Sequence, residues 1–348
     1  HHALRASCPG IARLIRVEQL AKTLVDWIEI ESITGSEADY GDALGRALEG
    51  KGLSVERQEV EPGRFNILAR AGMPEVVFCT HLDTVPPFFG SREDSDFVYG
   101  RGSCDAKGQA VAMLSAAQRL LDSGEDRIGF LFTVGEETDS AGAAFANAHL
   151  ADPWRPRHVI IGEPTDGLFV RGHKGIFGGC LVGHGQAGHS SQEMGPSAIH
   201  ELVASTGKLL DADWGEHESL GQGTVNVGHF HGGIAPNVVA DSAKAQILIR
   251  TVEDPATVEA RIRGCLSEHV ALEGAFGYSP VEFHVPDGEE SVAVAFGTDA
   301  PHMPDWGTPL LFGAGSIRDA HTDNEKVGKQ ELIACSLRHE QTVRELLG

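Results

Sequence analysis

The sequence has little positive charge and no long apolar run. Against 50 acidic residues it carries only 28 lysines and arginines, which gives a formal net charge of −22 at neutral pH. A surface of this sign repels the phosphates of nucleic acids and of anionic membranes, so neither is expected as a partner. No stretch approaches the roughly 18 consecutive apolar residues of a membrane-spanning helix. These absences disfavour nucleic-acid-binding and membrane-spanning classes of function.

Paired cysteines are also lacking. The six cysteines are scattered along the chain without the spacing of a disulfide framework. Cys79 and Cys180 lie inside strand-like apolar runs, where a small buried thiol is ordinary. This usage favours a reducing compartment, the cytoplasm, over a secreted disulfide scaffold.

Three short apolar runs each end in side chains that bind metals or transfer protons. The first run leads into His81 and Asp83, the second into Glu136 and Glu137, and the third into Glu163. Such runs are typical of strands buried on both faces of a parallel sheet. Because open α/β sheets bind ligands beyond the carboxyl ends of their strands, these side chains should converge there. One histidine and several carboxylates at one edge predict a hydrolytic metal site, with two metals favoured.

The order of predicted elements indicates two domains, as does the length of 348 residues. Strands and helices alternate up to about residue 165, which is typical of an α/β fold with a mostly parallel sheet covered by helices. After Lys174 the predicted order becomes β-α-β-β-α-β, with its last strand at Val281–His284. We therefore predict a catalytic domain of residues 1–174 and 286–348, and an inserted α+β domain of residues 175–285.

Five motifs in this chain recur in a known enzyme family. They are His81-Leu-Asp83-Thr-Val-Pro86, Gly100-Arg-Gly-x-x-Asp105-x-Lys-Gly108, Gly135-Glu136-Glu137, Gly162-Glu163-Pro164-Thr165 and Ala320-His321-Thr322. Together they resemble the motifs of the di-zinc amidohydrolases and metallopeptidases. That family includes acetylornithine deacetylase, succinyl-diaminopimelate desuccinylase, aminoacylase and carboxypeptidase G. The resemblance spans nearly the whole chain, and its details are most similar to acetylornithine deacetylase.

The resemblance implies two Zn²⁺ ions per chain, with Co²⁺ as a possible substitute. His81 and Glu163 would bind the first ion, and Glu137 and His321 would bind the second. Asp105 would bridge the two ions.

Two further residues would act beside the metals. Glu136 would be the general acid/base, taking a proton from the attacking water and passing it to the leaving amine. Asp83 would orient His81. Since side chains two residues apart on an extended chain face the same way, we expect the Asp83 carboxylate to accept the second ring N–H of His81.

By the same resemblance, the inserted domain would be a lid that also forms a two-fold homodimer. His189, in a Gly-His-Ser-Ser loop, would reach the partner's active site and stabilise the oxyanion. The alternative is that His189 only caps the helix that follows it. Asn237, Arg250 and Lys174 would contact the substrate.

These expectations describe a cytoplasmic hydrolase that deacetylates an N-acyl amino acid. An exopeptidase acting on short peptides is an alternative with the same chemistry. A desuccinylase is less favoured, because that enzyme uses a pair of arginines where this chain has His173 and Lys174. A non-catalytic descendant that only binds small molecules is disfavoured, because Glu136 and all five expected ligands are present.

Overall fold

The structure is a computed structural model that describes residues 17–192 and 195–348. Residues 1–16, which the predicted catalytic domain includes, and Cys8 lie outside the described residues. The described chain forms two compact units. One contains the chain up to Arg171, Phe283–Val292 and Thr298–Gly348, and the other contains Gly172–Glu282 and Ala293–Gly297.

The described α-helices range from eight to nineteen residues. They are α1 (Val17–Ile28), α2 (Ala38–Glu49), α3 (Lys107–Asp122), α4 (Ala141–Ala148), α5 (Ala198–Asp211), α6 (Pro255–Cys265) and α7 (Lys329–Leu347). None of these helices has both the length and the apolar character needed to cross a membrane.

The strands fall into two stretches of chain. Those before Lys174 are β1 (Ser54–Glu61), β2 (Arg64–Arg70), β3 (Val76–His81), β4 (Arg92–Glu93), β5 (Phe97–Tyr99), β6 (Ile128–Thr133), β7 (His158–Ile161) and β8 (Phe169–His173). Those after Lys174 are β9 (Gly175–His184), β10 (Gly188–His189), β11 (Glu216–His217), β12 (Gly221–Gln222), β13 (Thr224–Gly232), β14 (Val238–Val239), β15 (Ser242–Thr251), β16 (Val270–Tyr278), β17 (Val281–Glu282), β18 (Ser291–Val294), β19 (Thr308–Leu311) and β20 (Lys326–Gly328).

The first unit is built on a six-stranded sheet with the order β1-β2-β6-β3-β7-β19. Strands β6, β3, β7 and β19 run parallel, whereas β1 and β2 pair antiparallel at one edge. Every residue of β3 and β6 is buried, because helices pack on the sheet, among them α2, α3, α4 and α7. This confirms the mostly parallel sheet under helices that the continuous apolar runs predicted.

The second unit is a four-stranded antiparallel sheet with the order β13-β15-β9-β16. Helices α5 and α6 pack on one face of this sheet. On β15 the buried residues Ala243, Ala245 and Ile247 alternate with exposed Lys244 and Gln246, as in a half-buried strand. The chain order β9-α5-β13-β15-α6-β16 is the split arrangement expected from the sequence.

The prediction that Val281–His284 is the last strand of that arrangement is wrong. The last strand is β16, whereas Val281–Glu282 forms β17, which pairs with β8. Only the first half of β16 alternates clearly in burial, and a register shift follows Glu273, so the strand lacks a full alternating pattern. The units also begin and end a few residues from the predicted bounds of 175 and 285, and residues 293–297 belong to the second unit.

An uncharged histidine lies in the core of the first unit. His339 of α7 is fully buried, with its ring 4.4 Å from the ring of Phe312 and 5.5 Å from that of Phe78. Neither ring nitrogen has a hydrogen-bond partner among the described residues. Burial lowers the pKa of His339 to about 3, and the nearby arginines Arg119 and Arg338 add to the effect.

This histidine should make the fold sensitive to acid. The pKa of His339 is about 3 in the folded state and about 6.5 in an unfolded chain. The unfolded state therefore binds more protons below pH 6.5, and the free energy of unfolding should fall by about 2 kcal/mol from this residue between pH 7 and pH 5. Chemical denaturation of His339→Phe at both pH values should show a correspondingly smaller loss. His200→Phe, at an exposed position of α5, is the control, and equal acid losses in both variants would contradict the assignment.

Candidate metal centre

Four parallel strands deliver the candidate site residues to one edge of the first unit's sheet. His81 is the last residue of β3, and Glu163 follows the end of β7 by two residues. Glu136 and Glu137 stand in the turn after β6. His321 lies in the loop that follows β19 and has a φ of 63°. Since the carboxyl ends of parallel strands meet at one edge, residues far apart in sequence become neighbours.

Asp105 lies at the centre of this group. Its Oδ1 is 3.0 Å from Nε2 of His81, and its Oδ2 is 3.2 Å from Nε2 of His321. Nε2 of His321 is also 3.0 Å from Oε1 of Glu137, and Nε2 of His81 is 3.9 Å from Oε1 of Glu163. The two oxygens of one carboxylate thus face two different histidine–glutamate pairs.

The loop that carries Asp105 depends on a glycine at the start of α3. A Cβ on Gly108 would lie 2.2 Å from the backbone oxygen of Ser103. Only glycine therefore lets the helix begin this close to the loop. The adjacent Lys107 is buried and donates to the backbone oxygens of Trp27 and Ile30 at the end of α1. These two hydrogen bonds fasten the end of α1 to the site loop.

Asp83 organises the turn after β6. Its carboxylate accepts the backbone N–H groups of Glu136 and Glu137, at 3.1 and 3.2 Å, and the hydroxyl of Thr34, at 2.8 Å. From the sequence we expect this carboxylate to accept the ring N–H of His81. Instead the carboxylate oxygen is 3.6 Å from Nδ1, and the backbone oxygen of Asp83 is closer, at 2.9 Å. The side chain of Asp83 thus bonds to the turn of Glu136 and Glu137, while its backbone oxygen lies next to the ring of His81.

The carboxylates of the site are buried close together, and burial and neighbouring charges shift their pKa values. Burial raises the pKa of Glu136 and of Glu163 well above the usual range, and the charge of Glu163 raises that of Glu136 further. For Asp105 burial also acts upward, but hydrogen bonds from His321 and His81 outweigh it and lower the pKa. The same contacts, to Asp105 and Glu137, raise the pKa of His321 to about 10.

This arrangement fits divalent cations. Three groups of side chains place their ligand atoms within 4.8 Å of one another: His81 with Asp105 and Glu163, His81 with Glu136 and Glu137, and Asp105 with Glu137 and His321. The first and third groups share only Asp105, so they suit two ions joined by one carboxylate. Imidazole nitrogen and carboxylate oxygen are both ligands of Zn²⁺ and related metals. The positive charge of the metal ions would balance the buried acids.

Comparison with known proteins decides the family. The profile of peptidase family M20/M25/M40 matches residues 77–345. A peptidase M20 domain-containing protein of Schizosaccharomyces pombe is 38% identical, over 88% of this chain and 79% of that protein. A probable carboxypeptidase of Aspergillus flavus is 36% identical, over 89% of this chain and 88% of that protein. The fold is similar to that of aminopeptidase PepT of Bacillus cereus, with a TM-score of 0.79 and 20% identity, covering 94% of this chain and 98% of that one.

The chain belongs to peptidase family M20/M25/M40. It is an enzyme that hydrolyses amide or peptide bonds. This confirms the resemblance drawn from the five motifs at the level of the family. The narrower expectation of an acetylornithine deacetylase stays a prediction, because the relatives named above include a probable carboxypeptidase.

The remaining predicted site residues of this M20 enzyme lie in the second unit. His189 is exposed in β10, which pairs with β14, and its Nδ1 is 2.8 Å from the hydroxyl of Ser191. It does not cap α5, whose N-cap is Ser197, so that alternative is wrong. Asn237 is exposed, and its backbone oxygen accepts the N–H of Ser190 in the same loop. Arg250 is partly buried on β15.

Lys174 also belongs to this second group. Its Nζ donates to the backbone oxygen of Gln222. The structure thus brings Asp83, Glu136 and the five expected ligands into one cluster, and it places Lys174, His189, Asn237 and Arg250 in the other unit.

Two buried acids behind the cluster are not predicted from the sequence. Asp299 is almost fully buried and accepts the hydroxyl of Thr133 at 2.6 Å. Glu325 is fully buried and contacts the loop of Asp105. A signal existed for Glu325, since an acid four residues after His321 stands close to a motif, but an isolated acid in a polar loop is usually solvent-exposed.

Metal binding should stabilise the folded enzyme. Chelator-treated protein given Zn²⁺ or Co²⁺ should gain about 2.7 kcal/mol at a free metal concentration 100 times the Kd, since a ligand that binds only the folded state stabilises it. Differential scanning fluorimetry would report this as a rise in Tm. Asp105→Asn, which weakens the only carboxylate common to both groups, should lose most of the gain. An unchanged wild-type Tm at saturating metal would rule out the site.

Proposed function

We propose that this M20 enzyme is a dinuclear metallo-exopeptidase of the carboxypeptidase type, which releases an amino acid from the free C-terminus of a short peptide. The observation that carries the proposal is the position of Asp105 between His81 and His321. One shared carboxylate with a histidine and a glutamate on either side is the donor set that two zinc-like ions require. The carboxypeptidase type is supported by the 36% identity with the Aspergillus flavus relative.

The proposed ligands follow from this geometry and from the family resemblance. His81, Asp105 and Glu163 would hold one ion, and Asp105, Glu137 and His321 would hold the other. The ions would supply an activated water and a positive charge for the carbonyl oxygen. We take them to be Zn²⁺, for which Co²⁺ can substitute.

Proton transfer is assigned to Glu136. This residue follows β6 in the same turn as Glu137, and its backbone N–H is fixed by Asp83. Glu136 would accept a proton from the attacking water and return it to the departing amine, so that the product leaves as a neutral amine. Asp83 would serve this step indirectly, because it holds the turn that carries both glutamates.

Deacetylation of an N-acyl amino acid is the second candidate. The segments Gly172–Gly175, Asn226–Gly233 and Gly313–Ile317 resemble acetylornithine deacetylase in detail. Both candidate substrates have an acyl group on the α-amine of an amino acid whose own carboxylate is free. They differ only in whether the acyl group is a peptide or a simple acid, so a binding site for the free carboxylate is common to both. Arg250, Asn237 and Lys174 are the proposed substrate contacts.

A substrate panel separates these candidates. The metal-loaded enzyme would be assayed with N-blocked dipeptides, the same dipeptides amidated at the C-terminus, free dipeptides, and N-acetyl amino acids including N-acetylornithine. A carboxypeptidase should cleave the N-blocked peptides and lose activity on the amides, because the amide removes the recognised charge. Highest kcat/KM on N-acetyl amino acids would favour the deacetylase, and a requirement for a free amino terminus would indicate an aminopeptidase.

We also propose that the enzyme is a homodimer formed through its second unit. Val203 and Leu210 of α5 are 53% and 58% exposed, and Phe230 on the edge strand β13 is 40% exposed. Exposed apolar side chains and an unpaired edge strand are typical of a surface that meets a partner. In this proposal His189 completes the active site of the other subunit. A cytoplasmic location is supported by the free thiols of Cys79, Cys104, Cys180, Cys265 and Cys335.

The two adjacent glutamates should fail in different ways. Glu136→Ala should keep about two metals per chain and lose several orders of magnitude in kcat, since it removes proton transfer and no ligand. Glu137→Ala should lose about one metal, because it removes a ligand. Metal analysis and steady-state kinetics on the same preparations test this pair. Near-normal turnover in both variants would refute the assigned roles.

A mixing experiment tests the role of His189 across the dimer. Glu136→Ala and His189→Ala chains, each nearly inactive alone, would be unfolded and refolded together. Random pairing should restore roughly a quarter of wild-type activity, because half the dimers are mixed and each mixed dimer has one intact site. Absence of recovery, in a mixture shown by mass spectrometry to contain mixed dimers, would mean that His189 does not act in the partner's site.

A further inference from the structure

A buried ion pair lies behind the candidate metal centre. Glu325 and Arg101 are 0% and 1% exposed, and Oε2 of Glu325 is 2.7 Å from Nη1 of Arg101. Taking two such charges out of water is costly unless each is fully hydrogen-bonded. None of the roles proposed above uses either residue.

Glu325 is bonded to the loop that carries Asp105. Its Oε1 accepts the backbone N–H groups of Cys104 and Asp105, both at 3.2 Å. Its own backbone oxygen accepts the N–H of Gly100 at 3.1 Å. This last bond extends the pairing of β20 with β5, in which Lys326 lies opposite Tyr99. The loop segment from Gly100 to Asp105 is therefore held at its start by the pairing of β20 with β5 and at its end by the side chain of Glu325.

Arg101 is bonded to two other loops around the site. Its Nη1 donates to the backbone oxygen of Thr322, next to His321, at 3.3 Å, and its Nε donates to that of Pro87 at 3.2 Å. The guanidinium also lies over the ring of Phe89, 4.9 Å from its centre. The ion pair thus joins the loop of Asp105 to the loop of His321.

The His321 loop has more need of such support than the rest of the cluster. His81 belongs to a fully buried parallel strand, whereas His321 lies in a loop and its side chain is half-exposed. The position of its ring relative to Asp105 therefore depends on the contacts of the loop itself.

We propose that Glu325, through Arg101, is a positioning residue that sets the distance between Asp105 and His321. It would thereby govern the affinity of the metal site that these two residues share with Glu137. This inference rests on the proposed function, since it takes the cluster to be dinuclear. Residues that orient metal ligands in this way typically change metal affinity by about 10–100-fold when they are replaced.

Direct metal titration tests the inference without an activity assay. Chelator-treated wild type, Glu325→Gln and His321→Ala would be titrated with Co²⁺ and followed by the visible absorption of the bound ion. Glu325→Gln keeps the size of the side chain and loses its charge. It should bind its first Co²⁺ about as tightly as wild type and its second about 10–100-fold more weakly. His321→Ala defines the signal of a lost second ion. Activity of Glu325→Gln should return at high Co²⁺, which a merely misfolded enzyme would not show.

Two further variants keep the test decisive. Glu340→Gln removes the partner of Arg119 in a partly buried pair between α3 and α7, so it controls for the loss of an ion pair away from the site and should leave both affinities unchanged. If Glu325→Gln does not fold, Arg101→Lys takes its place, since it keeps the charge but not the full set of bonds to Thr322 and Pro87. Weakening confined to the second ion in either variant supports the inference. Wild-type affinity for both ions overturns it while leaving the proposed function intact, whereas a wild type that binds fewer than two ions refutes the proposed function itself.

Discussion

The candidate metal centre of the first unit depends on a single carboxylate whose two oxygens face different histidines. Asp105 faces His81 with one oxygen and His321 with the other, at 3.0 and 3.2 Å. Neither histidine comes from the same stretch of chain as Asp105, so the loop of Asp105, the end of β3 and the loop of His321 must all be held in place together. The parallel sheet supplies the strand ends, Gly108 lets α3 begin against the loop, and the buried pair of Glu325 and Arg101 joins the loops.

The cost of this arrangement is a surplus of buried negative charge. Asp105, Glu136, Glu163 and Asp299 are all in low-dielectric surroundings, and burial pushes the pKa of the last three upward. A protein core would normally exclude such a group or pair each acid with a base. The cluster is therefore poorly explained as a device for stability and well explained as one for binding cations. Strain of this kind is typical of active sites, where the rest of the fold must compensate for it.

The sequence predicted the residues that carry the chemistry of the site better than the residues that hold them in place. His81, Glu136 and Glu163 were found because each follows an apolar run, and the carboxyl ends of parallel strands share an edge. Periodicity carries no such information for Glu325, which lies in a polar loop and becomes buried only through tertiary contacts. The partner of the His81 ring was also misjudged. Side-chain direction on an extended strand put the Asp83 carboxylate nearby, but the competition among Thr34, the glutamate turn and the imidazole is decided only by the folded geometry.

The motifs do not predict which substrate the enzyme takes, for a different physical reason. Metal ligands are constrained by the size and charge of the ion. Few residue types therefore fit, and the spacing of these residues can be recognised in the sequence. Substrate recognition depends on surface residues around the site that differ among proteins of one fold. One constraint nevertheless remains. In both proposed functions the substrate carries a free carboxylate, and this anion must approach a chain whose formal net charge is −22. Among the proposed substrate contacts, an arginine such as Arg250 suits this carboxylate better than a lysine, because its planar fork can bind a carboxylate with two parallel hydrogen bonds.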